Sequence, residues 1–209
     1  QYAIDQFIMR GGKLVAFLDA QCVADSRQPN QMMPNMGGGG SSLDKLLKAW
    51  GIQFDTGKVV ADLKYKMQLR GRSGEPQEAP AWLALAAEGI NKDDVATGQI
   101  DNIWLPLCGA FTGTPVAGLK ETVLLSSSKD SQLVEAMLAN LSGENIMKEF
   151  KPSGVNYTLA ARLTGKFKTA FPEGLKPDAP AKPAAKDAKP AAPQPLAAQL
   201  KESATENSI

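Results

Sequence analysis

Residues Ala3–Asp19 read AIDQFIMRGGKLVAFLD: a helix pattern, a two-glycine stop, then an apolar run closed by an acid. Ile4, Phe7 and Ile8 fall at i, i+3 and i+4, the spacing of one apolar helix face, with Asp5, Gln6 and Arg10 elsewhere on the wheel. Gly11 and Gly12 follow at once, and a glycine just past a helix accepts the left-handed backbone that caps the last carbonyls. Leu14-Val15-Ala16-Phe17-Leu18 is continuous rather than alternating, which predicts a strand covered on both faces, as in a parallel sheet. Ligands of open α/β sheets sit outside the carboxyl ends of the strands, so Asp19 and the loop after it form the first candidate site. The plainer reading, Asp19 as a loop-capping acid, is the favoured one, because Asp is a common turn residue.

Outward from this unit, residues 20–40 read as a long loop holding Met32, Met33, Met36 and the run Gly37–Gly40. The three methionines make a candidate contact surface, since the flexible thioether adapts to irregular partners; packing the loop down is the competing reading. The glycines match neither phosphate-binding pattern, GxxxxGK[ST] or GxGxxG. Ser41 or Ser42 is then expected to cap a helix, Ser41-x-x-Asp44 standing for a capping box. Leu43, Leu46, Leu47 and Trp50 give that helix a buried stripe, and Gly51 stops it. A right-handed crossover laying the next strand beside the first is the expected connection.

Further strands are expected at residues 58–63, 65–69, 82–85, 103–107, 121–125 and 157–167, and a helix at 131–141. Residues 71–80 and 88–97 read as polar turns. Gly165 suggests a bulge in the last strand. Asp62 closes the 58–63 strand as Asp19 closes the first. Two parallel strands would set both carboxylates along one sheet edge, able to hold a cation or act as acid and base. The favoured reading keeps them apart as turn acids, because nothing nearby supplies the other ligands a metal needs. Ser126, Ser127 and Ser128 follow a strand and are candidates to hydrogen-bond a ligand, or to cap the next helix.

Several function classes are excluded. The 209 residues contain no histidine, which removes most hydrolase triads, His-based zinc sites and imidazole acid–base chemistry. Neither Cys22 nor Cys108 sits in a nucleophile elbow, and no histidine exists to activate either thiol. Cys22 and Cys108 could pair if both sat at one sheet edge, which spacing does not decide; two distant cysteines are no disulfide framework, so free thiols are the favoured reading. With 23 basic against 22 acidic residues, nucleic acid is a poor partner, as phosphate binding needs a basic surplus. No run is long and apolar enough to span a bilayer. The chain opens in mid-helix, with no Met and no N-cap before Tyr2, so a fragment is expected and the lack of a membrane segment says nothing of the full protein.

YAIDQFIMRGGKLVAFLD resembles a signature of the auxiliary component of ABC-type transport systems linked to gliding motility. The segments at 41–62, 80–91, 103–111 and 159–174 agree with that family in the same order. The resemblance implies the glutamine-amidotransferase-like α/β fold shared with intraflagellar-transport proteins. It also implies a soluble part outside the cytoplasm, tethered to a bacterial membrane, with ABC permease and ATPase subunits as partners. The expected fold class is therefore α/β and three-layered. A mostly parallel sheet would be flanked by helices, with an additional mixed or antiparallel β region and a disordered C-terminal tail.

Residues 1–174 form the expected domain. Residues 175–209, rich in Pro, Ala and Lys to about residue 195, form a linker or tail too poor in apolar side chains to pack. The leading function is a non-catalytic accessory domain that binds a partner subunit or ligand, through Met32, Met33 and Met36 or a sheet edge, without a cofactor. The alternative is a solute- or carbohydrate-binding module with its site at the strand ends near Asp19, Asp62, Ser126 and Ser127. An amidotransferase-like or esterase-like enzyme stands third, lacking an activated thiol or serine. Missing strands at the start of the fold would leave edges that a homodimer can cover.

Overall fold

A computed structural model of the chain describes residues 1–23, 39–70, 74–141, 143–174 and 199–209. Four short helices, α1 (Tyr2–Met9), α2 (Asp44–Ala49), α3 (Ala136–Leu141) and α4 (Gly143–Glu149), accompany ten strands. The strands are β1 (Ile52–Phe54), β2 (Lys58–Asp62), β3 (Lys66–Arg70), β4 (Pro76–Leu85), β5 (Ile103–Pro106), β6 (Phe111–Gly113), β7 (Leu119–Ser126), β8 (Ser131–Glu135), β9 (Thr158–Gly165) and β10 (Asn207–Ser208).

Every strand pair among the described residues is antiparallel, which corrects the expected mostly parallel three-layer α/β fold. Strand β9 is the centre of the largest sheet. β7 runs along one edge of it, from Leu119 opposite Gly165 to Ser126 opposite Thr158. The other edge is shared: β6 meets it at Thr158 and β10 at Thr164 and Gly165, with β1 outside β6. β2 pairs with β8, and β3, β4 and β5 form a meander. The expected crossover is absent. The helix with the Leu43–Trp50 stripe leads through Gly51, at φ +83°, into β1, and β1 pairs antiparallel with β6. No bulge falls at Gly165, where the register is regular; the register between β7 and β9 shifts instead around Leu125 and Ala160.

The segment read as a buried central strand is no strand. Leu14–Leu18 pairs with nothing among the described residues, and Val15 and Phe17 are 79% and 89% exposed. Of the apolar run expected to be covered on both faces, only Leu14 and Leu18 pack on the core. Ser131–Leu141 splits into β8 and α3, because Leu133 and Val134 also fit a strand facing β2. No capping box forms. Ser41 turns to Asp19, and Ser42 Oγ accepts the Asp44 N–H at 3.0 Å.

Helix α1 forms where expected and Gly11 takes φ +88°, but its buried side differs from the apolar stripe. Asp5 and Gln6 are buried with Ile8 and Met9, while Phe7 is half exposed. The Asp5 carboxylate accepts hydrogen bonds from Gln6 Nε2, Thr169 Oγ1 and the Ala170 N–H at 2.6–2.9 Å. Gln6 Nε2 also donates to the Leu200 carbonyl, and Gln6 Oε1 accepts the Leu200 N–H. Buried polar groups in folded proteins are hydrogen-bonded in this way. These bonds explain why residues 199–209, assigned from sequence to the tail, lie on the domain. Asn207 Nδ2 donates to the Ile8 and Gly12 carbonyls, and the Ser203 hydroxyl accepts the Phe167 N–H. Most of the tail segment, residues 175–198, lies outside the described residues.

The main apolar core joins α1, α2, β1 and the Phe167–Phe171 region around Trp50, with Phe167 edge-on to its indole at 5.2 Å. A second cluster, with Val60, Leu83, Leu85, Leu125 and Leu159, packs β2 and the meander against β7 and β9.

Candidate functional site

The open segment is pinned at both ends and bare between. At its start, Asn207 Nδ2 donates to the Gly12 carbonyl at 2.8 Å. At its finish, the Asp19 N–H donates to Ser41 Oγ at 2.8 Å, and the Ser41 N–H donates to the Asp19 carbonyl at 2.8 Å. Among the described residues no hydrogen bond involves the backbone of Lys13–Leu18. Lys13, Val15, Ala16, Phe17 and Asp19 are exposed, and Leu14 and Leu18 are half buried.

Behind the segment lies a cavity of about 860 Å³. Its walls are Leu43, Leu47 and Trp50 from α2 and its flanks, Phe54 and Phe111 from β1 and β6, Ile103 and Leu105 from β5, and Leu159–Leu163 of β9. Apolar side chains dominate these walls. The polar groups at the rim include Lys13, Asp19 and Glu121. Arg162, also on the wall, is committed elsewhere: its two terminal nitrogens bind both oxygens of Asp94 at 2.7–2.8 Å. The Ala96 N–H and then this guanidinium hold the Asp94 carboxyl below its ordinary value.

The sequence candidates are scattered. Asp19 is exposed and borders the cavity. Asp62 is fully buried, and its carboxylate accepts four hydrogen bonds at 2.6–3.2 Å from the Lys64, Tyr65 and Ser128 N–H groups and the Ser128 hydroxyl. This is the geometry of a turn acid that also locks the β7–β8 connection. Ser127 is buried with it: its hydroxyl accepts the Tyr157 N–H at 2.7 Å and lies 2.9 Å from the Ser131 hydroxyl. Ser126 ends β7 half buried. The structure therefore brings Asp62 to Ser128 rather than to Ser126, and neither Asp62 nor the serines border the cavity. Met32, Met33 and Met36 lie outside the described residues. Among the described residues no three His, Cys, Asp or Glu side chains gather as a metal cluster would need.

Sequence reasoning missed Val15 and Phe17 as surface, and the Arg162–Asp94 pair. Only the flanking charges Lys13 and Asp19 hinted at the first. Nothing local signals the second, as its partners are 68 residues apart.

No disulfide joins Cys22 and Cys108. Cys108 stands on the cavity wall, where burial pushes its thiol up to about 12. Only the thiolate is nucleophilic, so alkylation of Cys108 in the folded protein should keep rising with pH beyond about 9.5, where an ordinary thiol levels off. A rate plateau near pH 9, followed by mass spectrometry of the Cys108 peptide, would contradict this burial. The same shift sets a sign for stability. Between the unfolded value near 9.0 and the folded one near 12, the unfolded chain holds fewer protons, so stability falls as pH rises through that window.

Fold and site together define a small, mostly antiparallel domain whose open apolar edge lies over a cavity. Residues 1–206 match the family described as ABC-type uncharacterized transport system. The chain belongs to this family and is an auxiliary component of an ABC transport system. No curated protein and no solved structure matches the chain. Among the described residues no helix is long and apolar enough to cross a membrane.

Proposed function

We propose that this auxiliary component is a non-catalytic domain that works by polypeptide contact along Lys13–Asp19. One observation carries the reading: six consecutive residues leave their backbone groups without hydrogen-bond partners while Val15 and Phe17 stand in solvent. A bare backbone edge beside apolar side chains is a template for another chain. The order of segments shared with the gliding-motility-linked type supports an extracytoplasmic position, tethered to a bacterial membrane beside permease and ATPase subunits.

The test is to extract the full-length protein from its membrane in detergent, purify it, and identify what accompanies it by mass spectrometry. Recovery of an ATPase and a permease is the expected result. Recovery of the protein alone with a small molecule in the cavity would overturn the reading. It would favour the solute-binding alternative, for which the cavity volume falls in the usual ligand range of roughly 300–1,000 Å³. The hydrocarbon walls make a carbohydrate a poor occupant in that case.

A further inference from the structure

We propose that the open edge pairs with the same edge of a second copy of this chain, antiparallel and centred on Ala16. The inference rests on the contact reading above and commits that contact to one occupant.

The sequence of the edge is self-complementary. Lys13-Leu14-Val15-Ala16-Phe17-Leu18-Asp19 places a cation at one end, an acid at the other and apolar residues between. Laid antiparallel on its own copy with Ala16 opposite Ala16, it sets Lys13 opposite Asp19, Val15 opposite Phe17 and Leu14 opposite Leu18, each twice. A two-fold contact requires that residue i meet j and j meet i, and this register satisfies it. Shifting the register by two residues sets Lys13 opposite Phe17 or leaves it beyond the pairing. A one-residue slip would move the outward side chains to the opposite face.

Backbone direction agrees with this register. Once the segment pairs as a strand, the N–H and C=O of one residue point to the same edge, and successive residues alternate. Asp19 spends both of its groups on Ser41. The groups of Lys13, Val15 and Phe17 then point toward that side, and those of Leu14, Ala16 and Leu18 toward the opposite, open one. The open-side residues are those that would exchange hydrogen bonds across the two-fold axis. Val15, Phe17, Lys13 and Asp19 then occupy the non-hydrogen-bonded positions, where facing side chains approach most closely. All four are exposed in the single chain. Opposite charges directly across such a pair favour one register over its neighbours.

Disulfide trapping in the full-length protein tests this. Facing residues of a hydrogen-bonded pair have Cα atoms about 5.5 Å apart, inside the roughly 4.4–6.8 Å that a disulfide spans. Under mild oxidation Ala16→Cys should therefore give a disulfide dimer well above the background of the native thiols. Leu14→Cys should not, because its copies lie four residues out of register, about 14 Å apart. Leu14→Cys co-expressed with a differently tagged Leu18→Cys should cross-link between tags. Charge exchange gives a second readout that needs no thiol: Lys13→Asp should weaken the dimer at least tenfold in sedimentation, and Lys13→Asp with Asp19→Lys should restore it.

No cross-link at Ala16→Cys above background, or equal cross-linking at Leu14→Cys, overturns the proposal. So does a monomer whose residues 14–18 resist hydrogen exchange, which would mean that another strand covers the edge. If transporter subunits co-purify and Ala16→Cys stays monomeric, the contact function survives and only this occupant falls. If Ala16→Cys dimerises and no subunit co-purifies, the edge contact stands with this occupant and only the association with permease and ATPase subunits falls.

Discussion

Trp50→Ala should destabilise the domain by about 3–5 kcal/mol, the usual cost of emptying a buried aromatic site. The indole is 1% exposed and meets Phe167 edge-on at 5.2 Å, and its Nε1–H donates to the Lys168 carbonyl at 3.2 Å. Truncation removes the packing between α2 and the Phe167–Phe171 segment and also leaves that carbonyl without the indole donor. Trp50→Phe separates the two losses: it keeps most of the volume, and losing the hydrogen bond alone should cost about 1 kcal/mol. Urea unfolding with an unchanged m-value reads both. A Trp50→Ala midpoint within error of the parent would mean that the indole is a surface of the cavity rather than a pillar of the core.

Asp62→Ala should be nearly as costly, about 3 kcal/mol or more, because each buried hydrogen bond to a charged group contributes roughly 1.5–3 kcal/mol and its orphaned donors are penalised as well. Four donors lose their acceptor at once: the N–H groups of Lys64, Tyr65 and Ser128 and the Ser128 hydroxyl. Asp62→Asn keeps one oxygen but aims an amide N–H₂ at groups that are themselves donors, so it should lie between parent and alanine. Thermal or urea midpoints of the three proteins decide the matter. If Asp62→Ala is neutral or stabilising, the carboxylate is held for a ligand, since groups kept for function rather than stability can be removed at a gain.

Local chemistry was legible in the sequence, and pairing was not. Most longer strands, such as Lys58–Asp62, Lys66–Arg70 and Thr158–Gly165, announce themselves by apolar or alternating runs. Three-residue strands such as Ile52–Phe54 carry too few positions to show a period. Whether strands run parallel depends on what lies between them in space. The parallel reading followed from one apolar run, Leu14–Leu18, taken as covered on both faces, and from one helix, Asp44–Ala49, taken as a crossover. A covered strand and a bare apolar edge share the same composition; exposure alone separates them. Asp62 was readable as a turn acid from its place after a strand, and the Lys64 and Tyr65 N–H groups bear out that local role. Its bonds to Ser128 reach 66 residues ahead, beyond any local pattern. The same holds for Asp5 and Gln6, polar residues on a helix that sequence reasoning leaves in solvent.

The partners of Asp5 and Gln6 also fix a schedule. Thr169, Ala170 and Leu200 lie 164–194 residues downstream, and Asn207, which ties off the helix carbonyls, lies 195–199 residues beyond them. Chains emerge from the ribosome at about 5–20 residues per second. This helix thus waits roughly ten seconds or more for the groups that let its carboxylate be buried. Contacts of such wide sequence separation slow folding. During that interval the helix has no stable place to dock, and the apolar run behind it stands open to any passing strand. A holding chaperone at this stage of synthesis would find its binding stretch already displayed at Leu14–Leu18.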